Sequence, residues 1–478
     1  MDHSTDGQCS ISYRPGRWGT ETQGTHCREG EAGHNVLLKG NMGDTLRSQT
    51  VSTKLQQIAE QAASYPEMVF TTLAHLIDVD FLRKAYRLTR KDAAPGVDKV
   101  TAKEYAKNLD ENLKDLYERL RTGRYVAPPV ERVWVEKDAN SDRPIGKPTF
   151  EDKIVQRSVT MLLGAIYEQD FYDFSHGFRK DHSQHQALHE LWELLMKMNI
   201  NWILDADVSG FFDNLEHSWL RKIIKQRVND GGILRLIGKW LNAGVVERGV
   251  LTYPEKGTPQ GGVISPMLSN IFLHHVLDDW FVREVKPRMK GRCFLIRFAD
   301  DFIIGFELEE DARRVMAILS KRFNRFGLAI HPKKTKLIRF GKPGGRVSSA
   351  KRNGTFDFLG FTHYWSRSHK GYWVIKRKTR KKSVKRFLMS LWRWVRRNRH
   401  MPLKEQYKML SIKLRGHYQY YGISGNYRVL SGIHYHAKRL WRYWLSRRSH
   451  KGYINWEKFL NSIMNKFSLP MPRIVHYI

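Results

Sequence analysis

The 478-residue chain is 41% hydrophobic and carries 82 Lys or Arg against 48 Asp or Glu, a net charge of +34. That composition suits a globular protein of two to four domains; no apolar run nears the roughly 18 residues that cross a bilayer and no secretory signal opens the chain, so a cytoplasmic protein without a membrane role is expected. Three cysteines (Cys9, Cys27, Cys293), none in a Cys-x-x-Cys pair, argue against a disulfide framework or a cysteine-based zinc site.

The charge is concentrated. Residues 341 to 478 hold 32 Lys or Arg and only three acids (Asp357, Glu405, Glu457), so the first 340 residues are nearly balanced. A basic segment this rich in aromatics fits nucleic acid better than a membrane surface.

In chain order, residues 1 to about 50 are rich in Gly, Ser, Thr and Asn and read as a mobile leader. Thr53 to Leu120 is mostly helical in pattern, broken at Pro95 and Gly96. Val133 to Val135 reads as a strand, followed by a polar hairpin and a second extended piece. A helix is expected over 151–167, opening on Glu151 and Asp152. "NWILDADVSGFFD", 201 to 213, is a strand ending in acids, and "HSWLRKIIKQRV" after it has helical spacing. The loop "YPEKGTPQGGVISP" leads to the helix-like "MLSNIFLHHVLDDWFV". Two short apolar strands then flank Asp300 and Asp301, and a helix, "EEDARRVMAILSKRFNRFG", precedes the strand "LAIHP". Nothing resembles a Walker loop or a GxGxxG fingerprint. Beyond the basic linker "GKPGGRVSSAKRNG", Val384, Phe387, Leu388, Leu391 and Val395 share one helix face, with Lys385, Arg386, Arg393, Arg396 and Arg397 largely elsewhere. Two more helices, 403–414 and about 432–447, complete a basic bundle. The fold class expected is α+β with a helical C-terminal part.

"CFLIRFADDFIIGF", 293 to 306, places two adjacent carboxylates between greasy runs. A polar turn would explain them, but Asp-Asp is a poor pair for a two-residue hairpin. Asp278 and Asp279, in a helical pattern, warn that Asp-Asp alone proves little. Nucleotidyl transfer uses two Mg²⁺ ions about 4 Å apart, and Mg²⁺ takes hard oxygen ligands. A third acid would come from "DADVSGFFD", where alternation leaves Asp205 and Asp207 on the same strand face.

"DADVSGFFD", "GTPQGGVISPMLSNIFL" and "RFADDFIIGF", in this order, closely resemble the first three palm motifs of reverse transcriptases. "RPIGKPTFEDKIVQ" looks like the fingers motif of the group II intron branch, and "GLAIHPKKTK", "FDFLGFTHYW" and "LRGHYQYYGISGN" resemble its later palm and thumb, or maturase, motifs. The resemblance covers roughly residues 55 to 470. It implies a right-hand polymerase: an N-terminal extension and fingers over 51–200, a palm over 201–365, a helical thumb over 366–450 and a short segment over 451–478.

The site residues are carried over on the same ground. Asp207, which precedes the Val of "DV", together with Asp300 and Asp301 would hold two Mg²⁺ ions, with Mn²⁺ as a substitute and Val208 counted in the metal site. Asp205 and Asp213 are then structural acids. Lys137 and Arg143 would clamp the incoming triphosphate, Phe212 would exclude the sugar 2′-hydroxyl, and Gln260 and Gly261 would line the nucleotide or template. Lys334, with Lys333 and Lys336 as rivals, would serve the leaving pyrophosphate. Lys385, Arg386, Arg393, Arg396, Arg397 and Arg415 would grip RNA. The implied partners are structured intron RNA, an RNA template with a DNA or RNA primer, and dNTPs. The rival readings are a splicing cofactor that only binds its intron, and a reverse transcriptase recruited to defence or repair.

Three details depart from these expectations or tempt beyond them. Lys147 stands where the family has an apolar residue, and "FADD" replaces the commoner Tyr-Ala-Asp-Asp. His182, His185 and His189 mimic a metal face, but no further cluster completes a shell. No Cys follows Cys293, so the cysteine-paired His-Asn-His nuclease of many family members, and target-DNA cleavage with it, is not expected.

Overall fold

The computed structural model describes residues 42–138, 141–253, 256–257, 261–344, 354–449 and 452–478. The chain divides into Met1–Thr45, of which only the start of the first helix is described, and a compact unit Leu46–Ile478. The leader up to residue 41 lies outside the described residues.

Helix α1 spans Met42–Ser64. It begins inside the stretch expected to lack regular structure, a correction whose cause is a sparse buried seam: Val51, Ile58 and Ala62 are each under 7% exposed. Spaced at i, i+7 and i+11, they form a helix face too dilute to stand out in a polar sequence. Helices α2 (Val79–Leu88), α3 (Ala102–Tyr105) and α4 (Leu109–Arg121) follow. Thr101 and Glu104 close a capping box at the start of α3.

Strands β1 (Val130–Asp138) and β2 (Ser141–Lys147) lead to α5 (Phe150–Asp170) and α6 (Gln184–Lys197). Next come β3 (Trp202–Ala206), β4 (Val208–Ser209), α7 (Phe211–Asn214), α8 (His217–Lys225) and α9 (Gly231–Leu241). The hairpin β5 (Val245–Glu247) and β6 (Val250–Thr252) was not legible as strands, because each is three residues long. Its turn residues Arg248 and Gly249 both have positive φ, the geometry of a tight two-residue turn.

Helix α10 (Ser265–Leu273) runs on through π-helical turns at His274–Asp279 and Phe281–Val285. The chain continues through β7 (Cys293–Phe298), β8 (Asp301–Phe306), α11 (Glu309–Arg325), β9 (Ala329–Ile330) and β10 (Lys336–Arg339). It then forms β11 (Phe356–Phe358), β12 (Phe361–Arg367), β13 (Trp373–Thr379) and helices α12 (Lys381–Arg397), α13 (Leu403–Tyr421) and α14 (Tyr427–Leu445).

The strands make a four-stranded sheet β10-β3-β8-β7, a second β2-β1-β5-β6, a three-stranded β11-β12-β13 and the pair β4-β9. All neighbours in the first sheet are antiparallel. Its strands read as continuous apolar runs because helices cover them: Ile303, Ile304, Phe302 and Phe306 are all at 0% exposure. The C-terminal helices enclose a separate core, including Leu391, Val395, Leu414, Leu430 and Trp441, into which Phe459, Ile463 and Leu469 from the last residues also pack. The expected face of α12 is the buried one, with Val384, Phe387 and Leu388 half-buried beside Leu391 and Val395. This is an α+β protein with the right-hand polymerase plan of a palm sheet, a fingers sheet and a helical thumb.

Candidate active site

The register of the first sheet sets the site. Asp205 faces Ile303 and Ala206 faces Phe302, the last pair between β3 and β8. One position further, Asp207 follows the end of β3 and Asp301 opens β8, near enough for the Asp207 charge to act on the Asp301 carboxyl. A slip of one residue would send the acids to the other face.

Asp300 sits at the hairpin tip. Phe298 pairs with Asp301, so the two turn residues are Ala299 and Asp300, not the two acids as expected. Ala299 takes the unfavourable conformation, with φ of 57°. That leaves Asp300 at negative φ and makes Asp301 a strand residue.

Asp207 is gripped by "HPKKTK". Its backbone O accepts from the His331 N–H at 2.7 Å, its N–H donates to Thr335 Oγ1, and its Oδ2 accepts from Lys334 Nζ at 2.8 Å. Of the three competing lysines, Lys334 is thus the one on the acid. Lys336 instead lies opposite Asp205 across the sheet. Val208 has a buried apolar side chain, so only its backbone carbonyl could serve a metal.

Electrostatics tie the acids together. Enclosure by protein, followed by the like charges of Asp205, Asp300 and Asp207, pushes the Asp301 carboxyl up to about 7, against a pull from Arg380. Asp301 keeps an open face to solvent. Water therefore screens part of the enclosure penalty, and mutual repulsion is the sturdier cause. Burial, then Asp357 and Asp207, raises Asp205 to about 6, with Lys336 and Arg380 opposing.

Such a set of carboxylate oxygens, crowded until their own repulsion costs energy, suits a hard divalent cation. It is not a preformed cage: among the described residues no three Asp, Glu, His or Cys side chains converge as a ligand shell. Lys334 holds one of the oxygens instead.

The remaining candidates divide. Phe212 is half-buried in α7, and the backbone beneath it is fixed because a Cβ on Gly257 would lie 2.8 Å from Phe212 O and Asp213 O. Gly261 lacks a side chain for a reason within the protein: a Cβ there would sit 2.3 Å from Gly146 O of β2. Arg143 is exposed on β2. Lys137 lies at a register irregularity in β1 and only its backbone is described; Gln260 lies outside the described residues. Lys385, Arg386, Arg393, Arg396, Arg397 and Arg415 are all exposed, on α12 and α13. Lys147, the departure in "RPIGKP", pairs across the hairpin with Glu131 at 2.9 Å. The three histidines go separate ways: His182 to His176, His185 to the Tyr420 carbonyl and His189 to Glu193.

Sequence reasoning missed Arg380 and Asp357. Both act electrostatically on the acid cluster. Arg380 was hidden in a run where nearly every neighbour is basic, and Asp357 contacts Asp205's surroundings only through the fold.

The family model "Reverse transcriptase (RNA-dependent DNA polymerase)" matches residues 135–363, which includes both acid-bearing strands. Protein YkfC of Escherichia coli is 34% identical over 287 residues, covering 53% of this chain and 75% of that protein. The chain belongs to the group II intron-encoded reverse transcriptases. The group II intron-encoded protein LtrA of Lactococcus lactis is 35% identical over 239 residues, 49% of this chain and 39% of LtrA. A putative COX1/OXI3 intron 1 protein of Saccharomyces cerevisiae is 28% identical over 272 residues, 47% of the chain and 32% of that protein. The chain thus covers well under half the length of these two relatives of this reverse transcriptase. Among the described residues no helix is long and apolar enough to cross a membrane.

Proposed function

We propose that this reverse transcriptase extends a DNA or RNA primer on an RNA template with dNTPs, and that it also binds structured intron RNA. The observation that supports it most is the register that brings the end of β3, which Asp207 follows, to the start of β8, which Asp301 opens, with Asp300 on the adjoining tip. These carboxylates would hold divalent cations, Mg²⁺ with Mn²⁺ as a substitute. Two such ions, when bound, activate the primer 3′-hydroxyl and stabilise the charge of the departing pyrophosphate.

The chain's own residues do the rest. Asp207 is oriented by His331 and Thr335. The Lys334 ammonium, beside that acid, would give a proton or a charge to the leaving group. Arg143 and Lys137 would clamp the triphosphate. Phe212 would crowd the sugar 2′ position, and Gln260 and Gly261 would border the nucleotide. The exposed thumb cations would hold an A-form duplex through its backbone.

A binding role in splicing is supported by the distribution of charge, with 32 cations over residues 341–478. A second basic surface exists as well: a cavity of about 760 Å³ is lined by Arg221, Lys225, Arg235 and Lys239 and by no acid. On this reading the chain works in a cytoplasmic ribonucleoprotein with intron RNA.

The test is primer extension by the full chain on a defined RNA template, with splicing of a group II intron RNA measured in parallel. Asp300→Asn should slow extension by about 1,000-fold, the loss expected when several kcal/mol of metal-borne stabilisation is removed. Splicing should persist. Undiminished extension would refute the assignment of the site, and joint loss would refute the division of roles.

A further inference from the structure

Beneath the tip that carries Asp300, Arg297 is completely buried, at 0% exposure. A guanidinium in that position needs every donor engaged. Its Nε and Nη2 reach the two oxygens of Asp278, also at 0% exposure, at 2.8 and 2.6 Å. Its Nη1 donates to Asn270 Oδ1 at 2.9 Å and to the Ala299 carbonyl at 3.1 Å. Asp278, which made adjacent acids look uninformative in the sequence, is the anchor of this fork.

The tip is gripped from its other side too. Asn270 Nδ2 donates to Gly177 O at 2.6 Å. A Cβ on Gly177 would stand 2.1 Å from Ala299 N, so that residue lies flat against the turn. The Arg297 N–H donates to Phe174 O and its carbonyl accepts from the His176 N–H, both at 2.9 Å. Two of these contacts reach Ala299 itself, Arg297 Nη1 at its carbonyl and Gly177 against its amide, and its left-handed backbone is one that an alanine does not choose by itself.

We propose that Arg297, Asp278 and Asn270 form a positioning unit that holds Ala299 in this conformation and so fixes where the Asp300 and Asp301 carboxylates stand. A buried ion pair is a poor device for stability alone, since well-packed apolar residues often replace one at no loss. Here, among the described residues, the fork reaches into the hairpin tip at the carbonyl next to Asp300. The inference rests on the reading of Asp300 and Asp301 as metal-holding acids.

The experiment compares the full-length wild type with Arg297→Lys, Asn270→Ala and Asp300→Asn. Three measurements are made: thermal unfolding, Mn²⁺ binding without substrate from the electron paramagnetic resonance of free Mn²⁺, and single-nucleotide extension. Arg297→Lys keeps the charge for Asp278 but cannot fork to Asn270 and Ala299. It should weaken Mn²⁺ binding about tenfold and slow the single-turnover step about 10- to 100-fold, with primer-template affinity unchanged. Asn270→Ala leaves the ion pair whole and should shift both quantities the same way by less; it decides the matter if Arg297→Lys does not fold. Folded variants with wild-type Mn²⁺ affinity and extension overturn the proposal. So does slower extension with unchanged Mn²⁺ affinity and a lowered unfolding temperature, the signature of a merely structural role. Asp300→Asn separates the two readings: if it extends primers normally, the site assignment fails; if it is inactive while the other variants match wild type, only the positioning unit fails.

Discussion

Lys334 lays its ammonium on Asp207 Oδ2 at 2.8 Å, with the lysine side chain 57% and the carboxylate 45% exposed. An exposed pair of this kind adds little to folding stability. On the proposed reading, its value lies in placing a cation at the acid-bearing end of β3. Lys334→Met should therefore leave the unfolding temperature unchanged and slow nucleotide incorporation by about 100-fold, the lower end for loss of a general acid. Lys333→Met is the control, since no side chain of the acid cluster meets Lys333 among the described residues. Rapid-quench incorporation decides it: equal rates for both variants would remove Lys334 from the chemistry.

Phe212 is half-buried, packed at 5.3 Å between ring centroids against Phe211. Gly257 clamps the peptide below it. Trimming the ring to Val opens space without moving the backbone. The ratio of kcat/KM for dNTP over rNTP should fall by at least about tenfold in Phe212→Val, the scale of discrimination that side-chain volume provides. An unchanged ratio would make Phe212 an ordinary core residue.

Three strands of the first sheet (β3, β7 and β8), the helix before them and the thumb's buried face were legible because each follows a simple period: apolar runs, an acidic first turn, i and i+3 spacing; β10, four residues of mixed polarity, was not. The acids at strand ends were legible from their motif. What stayed hidden was tertiary. Arg297 looked like one polar residue in a strand, and nothing local says that it meets Asp278, 19 residues earlier. The turn stands at Ala299 and Asp300 although local turn chemistry disfavours alanine at positive φ, a preference opposed by the buried fork and by the close approach of Gly177. The pair β5 and β6 was missed because three-residue strands carry no periodicity.

Asp152 gives a pH dependence independent of the active site. It lies in the first turn of α5, accepting from the Tyr125 hydroxyl, from Trp240 Nε1 at 2.7 Å and from Gln156 Nε2 at 2.9 Å. Burial outweighs these donors and raises the carboxyl to about 6. The folded state thus holds this proton more tightly than the unfolded chain. Its contribution is present below about pH 4 and lost as pH rises to about 6, at most about 3 kcal/mol at 1.36 kcal/mol per unit. Gln156 cannot flip, because its Oε1 accepts from the Val263 and Ile264 N–H groups. Asp152→Asn therefore sets two donors face to face and costs about 1–3 kcal/mol at every pH. Urea midpoints from pH 4 to 7 should fall for wild type relative to this variant. Parallel curves would contradict the raised carboxyl.

The thumb cations make the last prediction, one of salt dependence. Lys385, Arg397 and Arg415 are exposed on α12 and α13, whereas Arg396 is already drawn over the Trp392 and Trp444 rings at 5.3 and 5.8 Å. A cation on a phosphate releases a condensed counterion, and each such contact contributes somewhat less than one unit to the slope of log K against log salt. Replacing Lys385, Arg397 and Arg415 together by Ala should reduce that slope by about 2 for an RNA duplex. Arg396→Ala should instead lower stability through lost ring contact, with the slope unchanged. Filter binding across a salt series, with unfolding temperatures alongside, separates the two. A triple variant with the wild-type slope would mean that RNA lies elsewhere, with the cavity lined by Arg221, Lys225, Arg235 and Lys239 the next surface to test.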